Sequence, residues 1–279
     1  YLKQYGYETL ACHFASGSNW NRDQVYPLLG FDTFLTDTDV GELEEIHGYP
    51  SAQADYEEVC RQYEAWKDSG TSEHFFCFNV TIQNHGGYLS GYRSEDAPQY
   101  TGGQTSDDVE EYLSLLRESD RAFEQLVNYF EQEEEPTVIL MFGDHQPSVE
   151  QEFLDKAYGV TQDQMTMEQY MGRYQTPFLI WANYPLPQTE LPVSSLNFLG
   201  QRLLSLSGIR NSVYGDYLSG FEQQFPVFTF VGYMDADGKA YSHLESNRYD
   251  PMIEDYRAFA YNNLFGAQQR CGSFFQPPQ

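Results

Sequence analysis

The chain has 279 residues, 41% of them hydrophobic, which suffices for one large α/β domain, or one domain with a small appendage, and excludes a disordered tail. Fifteen basic residues against 42 acidic ones leave a formal charge of -27, a field that repels nucleic acid and anionic membrane surfaces and argues against nucleic-acid binding. No run approaches the roughly 20 apolar residues of a membrane helix, and the chain opens at Tyr1 with neither an initiator Met nor a signal peptide, so it reads as a piece of something longer.

The first apolar run, residues 7–12, is strand-like and ends at His13. A polar loop follows, Phe14-Ala15-Ser16-Gly17-Ser18-Asn19-Trp20-Asn21-Arg22-Asp23, with one aromatic plate and one permanent cation. Arg22 can fork two hydrogen bonds onto a phosphate or sulfate while Trp20 covers a sugar or apolar face beside it. The plainer alternative is a loop Arg paired with Asp23 or Asp32 beside a half-buried Trp. A second run, residues 75–80, leads to Asn84-His85-Gly86-Gly87. Residues 107–134 read as a long helix, because Val109, Tyr112, Leu113, Leu116, Phe123, Leu126, Val127 and Phe130 recur at three- and four-residue steps. Ser106-Asp107-Asp108 supplies its cap and acidic first turn, and Pro136 lies just beyond its end. Asp120 falls on the apolar stripe, where a buried carboxylate needs a partner, either as a structural acceptor or as support for a site. The acidic residues 131–135 read as a solvated helix end.

The third run, residues 137–142, reads as a central strand of a covered sheet, broken by Gly143. In open α/β sheets the functional crevice lies off the carboxyl ends of the strands, so Asp144 and His145 are expected to point into it. A hard oxygen and a borderline nitrogen together suit Zn, Mn or Mg; a turn Asp beside a surface His is the plainer reading of the dipeptide alone. Residues 158–174, rich in Gln and Met, form a surface excursion or a lid, and the fourth run is residues 177–182. Residues 194–206 read as a helix with Leu196, Leu199, Leu203 and Leu206 on one face, closed by Gly208. Residues 225–234 and 239–243 flank Asp235-Ala236-Asp237-Gly238 as a hairpin, and residues 274–278 read as a fraying tail. Runs alternating with helices predict an α/β fold: a mostly parallel central sheet with helices on both faces in residues 1–210, and a small antiparallel C-terminal sheet in residues 211–279.

Cys12, Cys60, Cys77 and Cys271 show no metal-knuckle spacing, and Cys12 and Cys77, inside apolar runs, read as free thiols. The aromatic share of 16%, with 23 Tyr, suits flat contacts with sugars or lipid head groups and suits a large ordinary core nearly as well. The predicted strand ends gather His13, His85 and Asp144-His145, three of the six histidines and a carboxylate, on one edge.

Four strings carry a resemblance: Ala11-Cys12-His13 through Trp20-Asn21-Arg22; Val25-Tyr26-Pro27-Leu28-Leu29-Gly30-Phe31-Asp32; Phe78-Asn79-Val80-Thr81-Ile82-Gln83-Asn84-His85-Gly86-Gly87-Tyr88; and Phe142-Gly143-Asp144-His145-Gln146-Pro147. In order and spacing they resemble the lipoteichoic acid synthase family, sulfatase-like phosphoglycerol transferases of the alkaline phosphatase superfamily, from Tyr1 to about Phe265. The resemblance implies transfer of glycerophosphate from phosphatidylglycerol, through a Thr nucleophile and a covalent intermediate, to a glycerophosphate polymer or glycolipid acceptor. It implies one divalent cation, manganese first with magnesium, calcium or zinc as alternatives, held by Asp144 and His145. It sets His13, Trp20, Arg22 and His85 around the glycerophosphate, with His85 helping to protonate the leaving oxygen. It also implies a monomeric domain on the outer face of the cytoplasmic membrane, attached only through a part of the parent protein that precedes this one. The family's nucleophile and a further acidic ligand have no counterpart here, and Thr81 stands where the family has a non-nucleophilic residue, so the chain alone is expected to be inactive. A sulfatase or phosphodiesterase of the same superfamily is the alternative within enzymes, and a non-catalytic fragment that binds cell-wall polymer is the alternative outside them.

Overall fold

The computed structural model describes residues 1–266 and 268–278, in two compact units. The first comprises Tyr1–Glu134 with Pro147–Val160. Its centre is β1 (Tyr7–His13), flanked by β2 (Thr33–Thr36) and β5 (His74–Asn79), both parallel to it. Side chains alternate across such a sheet. Leu10, Cys12 and Phe14 face one way, against Leu35, Phe75 and Cys77, and on that side Phe75 meets Tyr63 and Trp66 of α2 (Ala52–Ser69). Residues of opposite parity face α1 (Arg22–Leu29), whose Tyr26 packs edge-on to Phe34 and Phe78. Helices thus cover both faces of a parallel sheet, as the alternation of runs predicts.

Helix α2 is capped by Ser51, whose hydroxyl accepts the amide of Ala54, and it packs along α3 (Asp107–Glu131). Between β2 and α2 lies a minute hairpin, β3 (Glu45–Ile46) and β4 (Tyr49–Pro50). Its two turn residues, His47 and Gly48, have φ of 46° and 89°. Two consecutive positive values mark the mirror-image turn that matches strand twist, at a steric cost for a histidine. The last helix of this unit is α4 (Gln151–Tyr158), whose Phe153 meets Tyr100.

The second unit comprises Glu135–Gln146 with Thr161–Gln279. Strand β6 (Val138–Phe142) pairs antiparallel with β7 (Phe178–Ala182), and Asn183 closes the pair by exchanging bonds with Thr137. Then follow α5 (Met167–Gly172), α6 (Leu199–Leu206), α7 (Val213–Gln224), the strands β8 (Val227–Phe228), β9 (Gly232–Met234) and β10 (Ala240–Ser242), α8 (Asp250–Phe265) and α9 (Gly272–Phe275). The three short strands form an antiparallel sheet in the order β10-β9-β8. Its core is Phe198, Phe221, Phe225, Phe228, Tyr233 and Ile253. Asp235, nearly fully buried, opens the β9–β10 turn and accepts the hydroxyls of Tyr241 and Tyr249 and the amides of Asp237 and Lys239. Burial opposes its charge, but those four donors hold its carboxyl below the usual carboxylate range.

Several expectations change. Asp120 is exposed and paired with Arg117 at 2.7 Å; the buried carboxylate of α3 is Glu111, 1% exposed. Leu116 is likewise exposed and Leu115 buried, so the buried stripe is rotated from the one read off the sequence. Residues 137–142 are half-buried and pair antiparallel instead of standing as a parallel central strand. Residues 225–234 are not one arm of a hairpin, because a tight turn at Thr229 folds them into two strands. The long loop holds a helix, α5, closed by a Thr166–Gln169 capping box and anchored by buried Met171. The tail does not fray: Phe274 and Phe275 pack on Tyr214, and Phe274 also on Phe259. Each reflects tertiary packing overriding a local pattern. All four cysteines are free thiols; that of Cys12 is pushed upward by its bond with the Cys77 thiol and by burial.

Below the end of β5, Asn79 donates to Asp55 of α2 at 2.5 Å, while Asp55 Oδ2 and Asn79 Oδ1 are both buried without a partner. Burial pushes the Asp55 carboxyl up to about 7, with Glu58 adding to the effect and the Asn79 bond opposing it. A carboxyl raised in the folded state loses stability as pH climbs from its unfolded value, near 4, through about 7. Asp55→Asn is therefore expected to melt later than the parent at pH 8, by roughly 1–4 kcal/mol, with the gain shrinking toward pH 5. Urea unfolding at the two pH values checks it, and an equal effect at both would contradict the assignment.

Candidate active site

Parallel pairing puts the carboxyl ends of β1, β2 and β5 on one edge, and the first site is built there. His13 ends β1 and is fully buried. Its Nδ1 lies 2.9 Å from the carbonyl of Val80, just past β5. A carbonyl can only accept, so Nδ1 carries the proton, and Nε2, buried and without a partner, holds the lone pair of the neutral ring. Burial holds the imidazole below its ordinary pKa, and the positive charge of Arg22 and the neighbouring His85 push the same way, against the Val80 carbonyl and Asp37.

The loop after His13 turns tightly over β2: a Cβ at Gly17 would come within 2.8 Å of the Thr36 methyl. It ends with Trp20 and Asn21, both at φ 54°, a conformation non-glycine residues rarely adopt. That backbone turns the Trp20 ring edge-on to His13, centroids 6.3 Å apart, and to His85, 6.0 Å apart. Trp20 as a whole is 62% exposed. Arg22 follows at the start of α1, its guanidinium carbon 4.4 Å from the centroid of the Trp20 ring, and its Nη1 is buried without a partner. It pairs with neither Asp23 nor Asp32; the latter bonds Lys3 and Thr9.

His85 sits on the turn after β5, its amide bonded to the Ile82 carbonyl. It is exposed, with Nδ1 3.4 Å from the hydroxyl of Tyr49. His13, Trp20, Arg22 and His85 thus come together in the first unit. Sequence reasoning missed what braces them. His47 Nε2 meets the Gln83 carbonyl at 2.5 Å, and His47 Nδ1 lies 3.5 Å from Glu111, both side chains being 1% exposed. Glu111 also takes the amides of Ser90 and Gly91 and the Ser90 hydroxyl. Gln83 bonds the Ala52 amide, the Leu115 carbonyl and Ser119. The one available signal was a Glu inside an apolar helical pattern; Tyr49 carried none.

Asp144 and His145 lie in the second unit, directly after β6. Gly143 sits close to Thr176, where a Cβ would come within 3.0 Å, and the Thr176 hydroxyl donates to the Gly143 carbonyl. His145 Nδ1 donates to the Gln146 carbonyl at 2.8 Å, which leaves the lone pair on Nε2, 3.7 Å from Asp144 Oδ2. Both side chains are open to solvent. An imidazole whose other nitrogen is held by a carbonyl, beside a carboxylate, is a donor pair that fits a divalent cation. Among the described residues no group of three His, Cys, Asp or Glu has a metal-binding arrangement, so the pair would supply two donors at most.

Comparison with known proteins bears on this arrangement. A Rhizobium meliloti protein, provisionally named as a cyclic beta-1,2-glucan modification protein, is 24% identical over 278 residues, covering 97% of this chain and 43% of the relative. The chain thus spans less than half the length of that protein. The structure of Streptococcus pyogenes phosphoglycerol transferase GacH in complex with sn-glycerol-1-phosphate superposes with a TM-score of 0.69 at 19% identity, over 98% of this chain and 66% of that one. The lipoteichoic acid synthase LtaP of Listeria monocytogenes gives 0.61 at 18% identity, over 94% and 72%. These likenesses establish the fold. The Sulfatase family model matches residues 1–209 of the 279, and the chain belongs to that family.

Proposed function

We propose that this chain forms the glycerophosphate-binding part of a metal-dependent phosphoglycerol transferase, which moves glycerophosphate from a phosphatidylglycerol-like lipid to a glycerol or glycan acceptor. One observation carries the reading: two buried polar atoms of opposite character, the bare Nε2 of His13 and Nη1 of Arg22, have no partner. Buried groups of this kind are costly until something bonds them. Arg22 offers N–H donors and positive charge to phosphoryl oxygens. His13 Nε2 can only accept, so it suits a hydroxyl of the ligand and not an anionic oxygen. A small ligand bearing both an anionic phosphate and a hydroxyl satisfies the two together; glycerophosphate does, and sulfate dianion, which has no O–H, does not. Trp20 lays its exposed ring beside the glycerol carbons, and His85, open to solvent, donates a proton to the leaving oxygen.

In this reading Asp144 and His145 hold one divalent cation, manganese first, whose chemistry would be neutralisation of phosphoryl charge. Residues 1–210 belong to the catalytic part and residues 211–279 to a small C-terminal subdomain. The lipid donor argues for work at the outer face of the cytoplasmic membrane, as part of a longer protein. Among the described residues no helix is long and apolar enough to cross a membrane. The fold shared with GacH, whose structure holds sn-glycerol-1-phosphate, supports the substrate class.

The two halves of the cradle are separable by calorimetry. Arg22→Ala is expected to weaken both sn-glycerol-1-phosphate and sulfate by about tenfold or more, the worth of a charge-assisted bond. His13→Ala is expected to weaken only the glycerol ester; equal loss for both ligands would refute the division of labour. Millimolar manganese is expected to raise the melting temperature of the parent chain and leave Asp144→Ala unmoved, and an identical response in both would remove Asp144 from the metal site.

A further inference from the structure

We propose that Tyr49 is a positioning residue for His85: its hydroxyl donates to Nδ1, fixing the tautomer that carries its proton on Nε2, while the buried His47–Glu111 contact holds Tyr49 in place. The inference rests on the reading that sets His85 beside the leaving oxygen of the bound glycerophosphate, and it concerns the neutral ring, which offers that oxygen an Nε2–H hydrogen bond and keeps its proton. A neutral imidazole can donate through only one nitrogen. At His13 a backbone carbonyl selects that nitrogen. At His85 the neighbour is the Tyr49 hydroxyl, 3.4 Å from Nδ1 with the rings 5.7 Å apart. Such a bond is long without ligand and tightens as a site fills. With the Tyr49 hydroxyl donating, Nδ1 is occupied as an acceptor and Nε2–H is free to face a ligand oxygen.

The bracing explains why a hairpin of two two-residue strands can do this. So short a ribbon has little stability of its own. Its turn places His47 at positive φ and sends the ring inward, one nitrogen to the Gln83 carbonyl and the other toward Glu111. Gln83 is two residues before His85, and Glu111 also holds Ser90 and Gly91 beyond it. The turn bearing His85 and the strand bearing Tyr49 are therefore fastened to one buried frame on α2 and α3. Tyr49 also packs edge-on to the His47 ring, 5.2 Å away.

The test is long-range proton–nitrogen correlation NMR on the histidine-labelled chain, without ligand, for the parent and Tyr49→Phe, which keeps the ring and removes the hydroxyl. The parent is expected to show His85 mainly with its proton on Nε2, and Y49F a several-fold larger share with the proton on Nδ1. The variant is also expected to bind sn-glycerol-1-phosphate more weakly by about three- to tenfold, the worth of one modest hydrogen bond. An unchanged tautomer ratio in a folded Y49F overturns the proposal. Should Y49F melt early, the parent spectrum decides, because a dominant Nδ1–H form there overturns it equally. The tautomer is read without ligand, so a chain with the expected tautomers that ignores glycerophosphate would count against the proposed function and for the role of Tyr49.

Discussion

Everything in the first unit depends on the parallel pairing of β1 with β2 on one side and β5 on the other. Parallel ladders aim their carboxyl ends the same way, so the loops that leave them share one edge. The register Cys12↔Asn79 makes His13 and Val80 the next residues on either side, and the bond between His13 Nδ1 and the Val80 carbonyl ties those strand ends together. The same bond sets the protonation of a buried ring. A structural contact and a chemical decision are here one interaction.

Polar groups in this region divide into those satisfied by the fold and those left open. Gln83 and Glu111, each 1% exposed, spend their capacity on backbone and side-chain partners. His13 Nε2 and Arg22 Nη1, close by in sequence, are left without partners. Buried polar atoms are nearly always bonded in folded proteins, and the proposed ligand would satisfy these two together. The strained backbone at Trp20 and Asn21 belongs to the same pattern, since such conformations persist where the surroundings enforce them.

The second unit follows a different economy. Its core is a stack of aromatic rings around a small antiparallel sheet, and much of the high Tyr content is spent there, with Tyr241 and Tyr249 also anchoring Asp235. Asp144 and His145 sit outside that core, exposed, on a loop held by Gly143 and Thr176. On the proposed reading, an exposed pair with one nitrogen already committed to a carbonyl would take a cation without needing it for folding, unlike a closed structural site.

The sequence by itself determined the apolar runs, the glycine and polar residues that end them, and the identity of His13, Trp20, Arg22, His85, Asp144 and His145 as candidates, because strand periodicity and chain breaks are local properties. It also determined the α/β class. Only tertiary structure decided which face of the long helix is buried, exchanging Asp120 for Glu111, because a helix's rotation is set by what packs on it and not by its own stripe. Only tertiary structure made two strands of residues 225–234, turned the tail inward, and paired β6 antiparallel with β7. The brace of His47, Tyr49, Gln83 and Glu111 joins residues from three separate stretches of chain. No local pattern encodes contacts across 36 or 64 positions; they exist only once the backbone has closed those distances.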